Sequence, residues 1–210
     1  MLNTLIETKE DIKISIQEKQ TEITGGLNTY ADAIRNIPEY VAMKIKISNG
    51  VKLSDSTFEE IPPEIEFVNI TDMSNMFSHC PNLYYIPDLK TSNVSNMTYM
   101  FYGSTNLRGV ARQDAVNVKD VTYMFGWNRN LSSFSGLKNL GAQSNLKGTG
   151  LFINELEGLN YYSITNIIEN LYDRKTAGYS VLTLKLHADV LAKLSAEDIA
   201  VATKKGWIIS

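Results

Sequence analysis

One ten-residue stretch occurs three times in this chain at a constant interval. Val68-Asn-Ile-Thr-Asp-Met-Ser-Asn-Met-Phe77 returns as Ser92-Asn-Val-Ser-Asn-Met-Thr-Tyr-Met-Phe101. It returns again as Val116-Asn-Val-Lys-Asp-Val-Thr-Tyr-Met-Phe125. The closing phenylalanines are 24 residues apart, and so are Asn82-Leu83, Asn106-Leu107 and Asn130-Leu131. Ile86, Val110 and Phe134 keep the same step. A period this short restricts what the chain can fold into. One unit is too small to bury its own apolar side, so the units must stack and bury it against each other.

Each unit has two halves. Ile70, Met73, Met76 and Phe77 stand at i, i+3, i+6 and i+7, which predicts one face of a helix with Thr71 or Asp72 as its cap. Leu83 to Ile86 and Leu107 to Val110 are short and apolar at both ends, which predicts strands that pair between units at about 4.8 Å. The expected fold is therefore an α/β solenoid of helix-plus-strand units at 67–90, 91–114 and 115–140, within a segment spanning 41–150. Met73, Met76, Met97, Met100 and Met124 keep helical spacing and repeat phase, so they are expected to fill the core rather than bind metal. Asn69, Asn93, Asn96 and Asn130 begin Asn-X-Ser/Thr triplets. The asparagine nevertheless persists at Asn117, Asn82 and Asn106 where the triplet is lost. A side-chain amide bonded to turn backbone explains this better than glycosylation.

The repeat, closest in TSNVSNMTYMFYGSTNL at residues 91–107, resembles the BspA-type leucine-rich repeat. Residues 45–62, IKISNGVKLSDSTFEEIP, resemble the degenerate first coil of such arrays. The resemblance implies a leucine-rich-repeat-like solenoid. Its third unit drifts, with Val121 in place of Met and Trp127-Asn128 in place of Gly103-Ser104.

The two ends differ from the middle. Residues 1–40 are expected to form a helical attachment or oligomerisation segment broken at Gly25-Gly26, with Tyr30, Ala33, Ile34 and Ile37 lining a second helix up to Pro38. Leu2, Leu5, Ile12, Ile16 and Ile23 fit heptad a and d positions, interrupted by Lys9 and Lys19. They form either a short oligomer seam or one face of a helical hairpin that caps the array. Residues 151–210 are expected to be an α/β cap. It contains a helix over 163–172 capped by Ser163, a strand over Val181 to Leu186 and a helical turn over Ala188 to Leu194. A further helix starts at a near capping box, Ser195 to Asp198, and is stopped by Gly206. A last strand begins at Trp207. Residues 23–37, ITGGLNTYADAIRNI, are similar to a short module of tailed-phage proteins through Tyr30, Ala31 and Ile34. The run from Leu182-Thr-Leu184 through Leu191, Leu194, Ser195, Glu197, Ala200, Ala202 and Lys205 to Trp207 resembles the closing segment of phage and bacterial surface proteins.

Composition narrows the chemistry. The 210 residues carry 43% hydrophobic and 20% charged side chains and a net charge of −3, so no basic footprint for nucleic acid is visible. A single cysteine, Cys80, excludes an intramolecular disulfide, and only His79 and His187 are available for a zinc site or a triad. The first residues lack the apolar core of a secretory signal, and no apolar run is long enough to span a membrane. No nucleophile elbow, zinc-protease, phosphate-loop or dinucleotide motif occurs. Cys80 aligns with Ser104, which points to a packed thiol. Glu59-Glu60 and Glu155 with Glu157 are expected in solvent. No enzyme activity, cofactor or metal is expected. The candidate contact surface is Tyr84, Tyr85, Tyr99, Tyr102, Tyr123 and Trp127.

Taken together, the resemblances imply a non-enzymatic adhesion or structural component of a tailed-phage virion: a fibre, decoration or tail-associated protein. Such a protein is made in the host cytoplasm, and its partners are other virion proteins, copies of itself, and a host-surface glycan or protein. The alternative is a bacterial surface or host-interaction protein built from the same repeats.

Overall fold

The computed structural model describes residues 45–210, apart from Asp55 and Glu64. The expected N-terminal helices, with Leu2, Leu5, Ile12, Ile16 and Ile23, lie outside the described residues.

The sequence period reappears as hydrogen-bond register. β1 (Ile45–Ile47) pairs in parallel with β2 (Ile65–Phe67). β3 (Tyr85–Ile86), β4 (Gly109–Val110) and β6 (Ser133–Phe134) form a parallel sheet in which Tyr85 faces Gly109 and Gly109 faces Ser133. β5 (Gln113–Asp114) pairs with β7 (Leu137–Lys138) in the same way. The architecture is mixed α/β, with few helices and small parallel sheets. Ile86, Val110 and Phe134 are buried, whereas Tyr85 and Ser133 face out, as the alternation of a half-buried strand requires. Opposite them, the rings of Phe77, Phe101 and Phe125 stack at 5.6 Å and 5.3 Å, and Phe152 follows at 5.6 Å. Met73, Met76, Met97, Met100 and Met124 fill the space between and are buried.

The helix expected in each unit is not there. Residues 74–79, 98–103 and 122–127 are consecutive tight turns. The reason lies in the backbone. Asn75, Tyr99 and Tyr123 have φ of 56°, 56° and 52°, and His79, Gly103 and Trp127 have φ of 54°, 71° and 64°. A left-handed residue every fourth position breaks an α-helix. It also turns alternate N–H groups outward. Met73, Asn75, Phe77 and His79 donate to the carbonyls of Asn96, Thr98, Met100 and Tyr102 in the next unit, at 2.8–3.0 Å. Met76 and Ser78 close three-residue turns onto Met73 and Asn75. Asp72, Asn96 and Asp120 do accept a backbone N–H, from Ser74, Thr98 and Thr122, but each caps a turn rather than a helix. The same three residues bridge in series, and the series continues from Asp120 to Lys147, 27 residues on.

Polar side chains also join the units. Ser104 Oγ donates to the Phe77 carbonyl at 2.7 Å and accepts from the Cys80 N–H at 3.1 Å. The Cys80 thiol donates to the Leu53 carbonyl at 3.2 Å, and Asn128 Nδ2 to the Phe101 carbonyl at 2.7 Å. All of these groups are buried. A second column runs outside, where Asn82, Asn106 and Asn130 donate to the carbonyls of Thr57, Pro81 and Thr105. Asn117 reaches Ser92 in the same manner. At these four positions the expected amide-to-backbone bond crosses to the preceding unit, whereas Asn96 bonds its own turn through the Thr98 N–H. Ser104→Ala leaves a buried N–H and a buried carbonyl without their partner, so it should lower stability by about 1–2 kcal/mol. Exposed Thr105→Ala should stay within about 0.5 kcal/mol of the parent in urea unfolding.

At the C-terminal end, α1 (Tyr161–Asn170) starts two residues earlier than expected and is capped by Asn160, which accepts the Ser163 N–H at 2.8 Å. Ser163 sits inside the helix, and its hydroxyl accepts the Phe134 N–H at 2.9 Å. β8 (Leu182–Leu184), α2 (Ala188–Leu191), α3 (Ala196–Lys204) and β9 (Trp207–Ile209) follow, with β8 and β9 parallel. His187 Nδ1 caps α2 by accepting the Asp189 N–H at 3.3 Å. Both halves of the capping box form. Ser195 Oγ accepts the Asp198 N–H at 3.1 Å, and Asp198 accepts the Ser195 N–H at 2.9 Å. These bonds from Ser195 hold the Asp198 carboxyl below its usual range. A depressed folded-state pKa stabilises above the unfolded value, about 3.9, and that help is lost as pH falls further. Asp198→Asn should therefore melt below the parent at pH 6, and the gap should close toward pH 2.

Candidate functional site

Three positions in the repeated turns carry aromatic side chains, and the 24-residue register brings them together. Tyr99 and Tyr123 lie parallel with centroids 5.4 Å apart. Tyr102 meets Tyr99 edge-on at 5.3 Å, and His79 meets Tyr102 edge-on at 5.6 Å. Trp127 closes the row, 6.5 Å from Tyr102 and tilted by 46°. The five rings form one terrace on the outside of the turns.

Two of the rings are seated on the backbone of the next unit. A Cβ on Gly103 would come within 2.9 Å of the His79 ring, and one on Gly126 within 2.7 Å of the Tyr102 ring. These two glycines let the rings lie down against the backbone and hold their positions. Trp127 is different. It keeps 62% of its surface exposed. Its backbone is left-handed, as is that of Gly103 one unit earlier. A side chain there costs about 1–2 kcal/mol that glycine avoids. Its N–H, at the position where His79 and Gly103 donate to a carbonyl of the next unit, donates instead to the Glu155 carboxylate at 2.9 Å. Glu155, expected in solvent, thus closes this hydrogen-bond row.

Of the six aromatic residues singled out from the sequence, the structure gathers four: Tyr99, Tyr102, Tyr123 and Trp127. Tyr84 and Tyr85 belong to the strand side. The Tyr84 hydroxyl donates to the Glu60 carboxylate, and that bond is the main reason its pKa lies above the usual tyrosine value. Tyr85 covers Gly109, whose Cβ would stand 3.0 Å from the ring. Among the described residues no ring contact joins this pair to the terrace. His79 is the member that the sequence reading left out. Its signal was available, since it aligns with Gly103 and Trp127 in the 24-residue register.

Cys80 and His79, adjacent in the sequence, point apart. The Cys80 sulfur points inward and is buried, while the neighbouring His79 ring lies outside over Gly103. Among the described residues, no group of three or more His, Cys, Asp or Glu side chains is arranged to hold a metal ion. A second exposed aromatic pair stands at the start of α1. Tyr162 is 77% exposed and meets Tyr161 edge-on at 5.8 Å, and the Tyr161 hydroxyl donates to Asp198 at 3.2 Å. Burial, followed by the Asp198 charge, raises the Tyr161 pKa.

A family model described as Mycoplasma protein of unknown function, DUF285, matches residues 49–171. No curated protein and no solved structure matches the chain.

Proposed function

The chain belongs to the family described as Mycoplasma protein of unknown function, DUF285, and we propose that it is a non-enzymatic recognition scaffold, a leucine-rich-repeat-like solenoid that presents its turn face to a partner. The single observation behind this reading is the aromatic terrace. The interior columns of Met, Phe, Cys and Ser are used up in packing and hydrogen bonding. The large exposed tryptophan at a left-handed position gains little from folding. Exposed, ordered aromatic rings are what contact surfaces use.

The setting we propose is the virion of a tailed phage, with residues 1–40 docking to the particle or to copies of themselves. It is supported by the likeness of residues 23–37 to a tailed-phage module and of residues 182–207 to the closing segment of phage and bacterial surface proteins. Repeated copies on a particle convert weak contacts into firm adhesion through avidity. A second reading, a bacterial surface protein with the same repeats, is favoured by the bacterial name in the family description. Mass spectrometry of purified particles against host envelope fractions separates the two. Recovery from particles, and loss of attachment when residues 1–40 are deleted, is the expected result. Recovery from the envelope alone rejects the virion setting. A measured hydrolytic or transfer activity rejects the scaffold reading.

A further inference from the structure

The geometry points to a specific ligand class for the terrace: a neutral oligosaccharide, stacked on Trp127 and hydrogen-bonded along the hydroxyls of Tyr102, Tyr99 and Tyr123. This rests on the recognition reading above and narrows it to one patch and one chemistry.

Three observations carry it. First, Trp127 has one ring neighbour among the described residues and 62% of its surface exposed, so ring surface is open to a ligand. The faces of Tyr99 and Tyr123 are turned toward each other. The terrace thus offers one stacking ring and a rail of phenol groups rather than a broad apolar sheet. Second, no hydrogen bond engages the hydroxyls of Tyr99, Tyr102 or Tyr123 among the described residues, in contrast to Tyr84 and Tyr161. A phenol O–H both donates and accepts, which is what a sugar hydroxyl needs in a partner. Third, the terrace carries no fixed charge of its own. The Glu155 carboxylate beside it accepts the Trp127 N–H at 2.9 Å. A polar but uncharged ligand with an apolar ring face fits this set. The terrace is also pre-ordered, because His79 and Tyr102 rest on Gly103 and Gly126, so little side-chain freedom is lost on binding.

The chain itself supplies a reporter. Its two tryptophans are Trp127, exposed, and Trp207, buried. A sugar stacking on Trp127 should shift or quench only the exposed component of the emission. The experiment titrates the full chain with neutral gluco-, galacto- and manno-oligosaccharides, with sialylated and sulfated glycans in parallel, and follows fluorescence and calorimetry. The expected result is saturable binding of a neutral oligosaccharide, weakened about tenfold or more in Trp127→Ala and unchanged in Tyr162→Ala and Tyr84→Ala. Far-UV circular dichroism of Trp127→Ala should match the parent, since the ring is outside the core. Binding of anionic glycans alone overturns the inference, as does neutral-sugar binding that survives Trp127→Ala. So does capture of a protein partner through the terrace with no sugar bound. If cells or particles are still bound while no neutral sugar is, the ligand class is wrong and the recognition reading stands. If nothing is bound by any face, the recognition reading itself fails.

Discussion

Replacing Arg174 with leucine should lower stability by about 3 kcal/mol or more, and the loss should begin in the C-terminal segment. Arg174 is completely buried, yet among the described residues no carboxylate pairs with it. Its guanidinium is held by backbone carbonyls instead. Nε donates to Ser180 at 2.8 Å, Nη1 to Gly141 at 2.7 Å and Gln143 at 3.0 Å, and Nη2 to Ser144 at 3.1 Å. The Tyr179 ring lies 5.3 Å from the guanidinium carbon. Burial lowers its pKa from the ordinary arginine value, but an arginine keeps its proton there. Leucine would remove the charge and take the guanidinium donors away from four carbonyls, of which Gly141 is buried and Gln143 keeps only the Leu146 N–H. Lysine would keep the charge but lacks the planar fork, so Arg174→Lys should fall between the parent and the leucine variant. Thermal unfolding ranks the three. Hydrogen exchange should show early opening of the 171–210 amides in Arg174→Leu. Equal melting temperatures for all three would mean that the carbonyl cage contributes nothing.

A second large effect is expected at Gly148. Its φ is +83°, and a Cβ there would stand 2.3 Å from Thr122 N and 2.6 Å from Thr122 Cα. The obstacle is backbone of the neighbouring unit, anchored by the Thr122 N–H bond to Asp120 at 2.9 Å, so it cannot swing aside. Gly148→Ala combines left-handed strain of about 1–2 kcal/mol with overpacking of about 1–3 kcal/mol, for a total of about 2–5 kcal/mol. Gly150, two residues on, has nothing within 4 Å of the same added atom and no positive φ. Gly150→Ala should be neutral or stabilising by up to about 1 kcal/mol. Urea midpoints of the two variants test the contrast directly. A loss at Gly150 equal to that at Gly148 would refute the steric explanation.

Much of the site was legible because register carries it. Once Phe77, Phe101 and Phe125 are seen at one interval, Tyr99 and Tyr123 must be neighbours in adjacent units, and they are. Tyr84 and Tyr85 look like equal candidates in the sequence, because exposure alone does not distinguish the strand side from the turn side. His79 was overlooked because its counterpart in the next unit is Gly103, which carries no ring to suggest a row. Arg174 had no signal at all. Its partners are carbonyls of residues 141–144 and 180, and a carbonyl has no residue identity to read.

The same division holds for the fold. The 24-residue interval by itself determined which side chains share an interior and which strands pair, because parallel neighbours in register must repeat the apolar pattern at that interval. It did not determine the path of the chain between strands. Apolar residues at i, i+3, i+6 and i+7 suit a helix and suit a run of tight turns equally well. The left-handed positions include Tyr99, Tyr123 and Trp127, residue types that seldom announce a turn. The choice was made between units: bonding alternate N–H groups to the next unit requires the chain to give up its own helical hydrogen bonds, and only the stacked structure supplies those carbonyls.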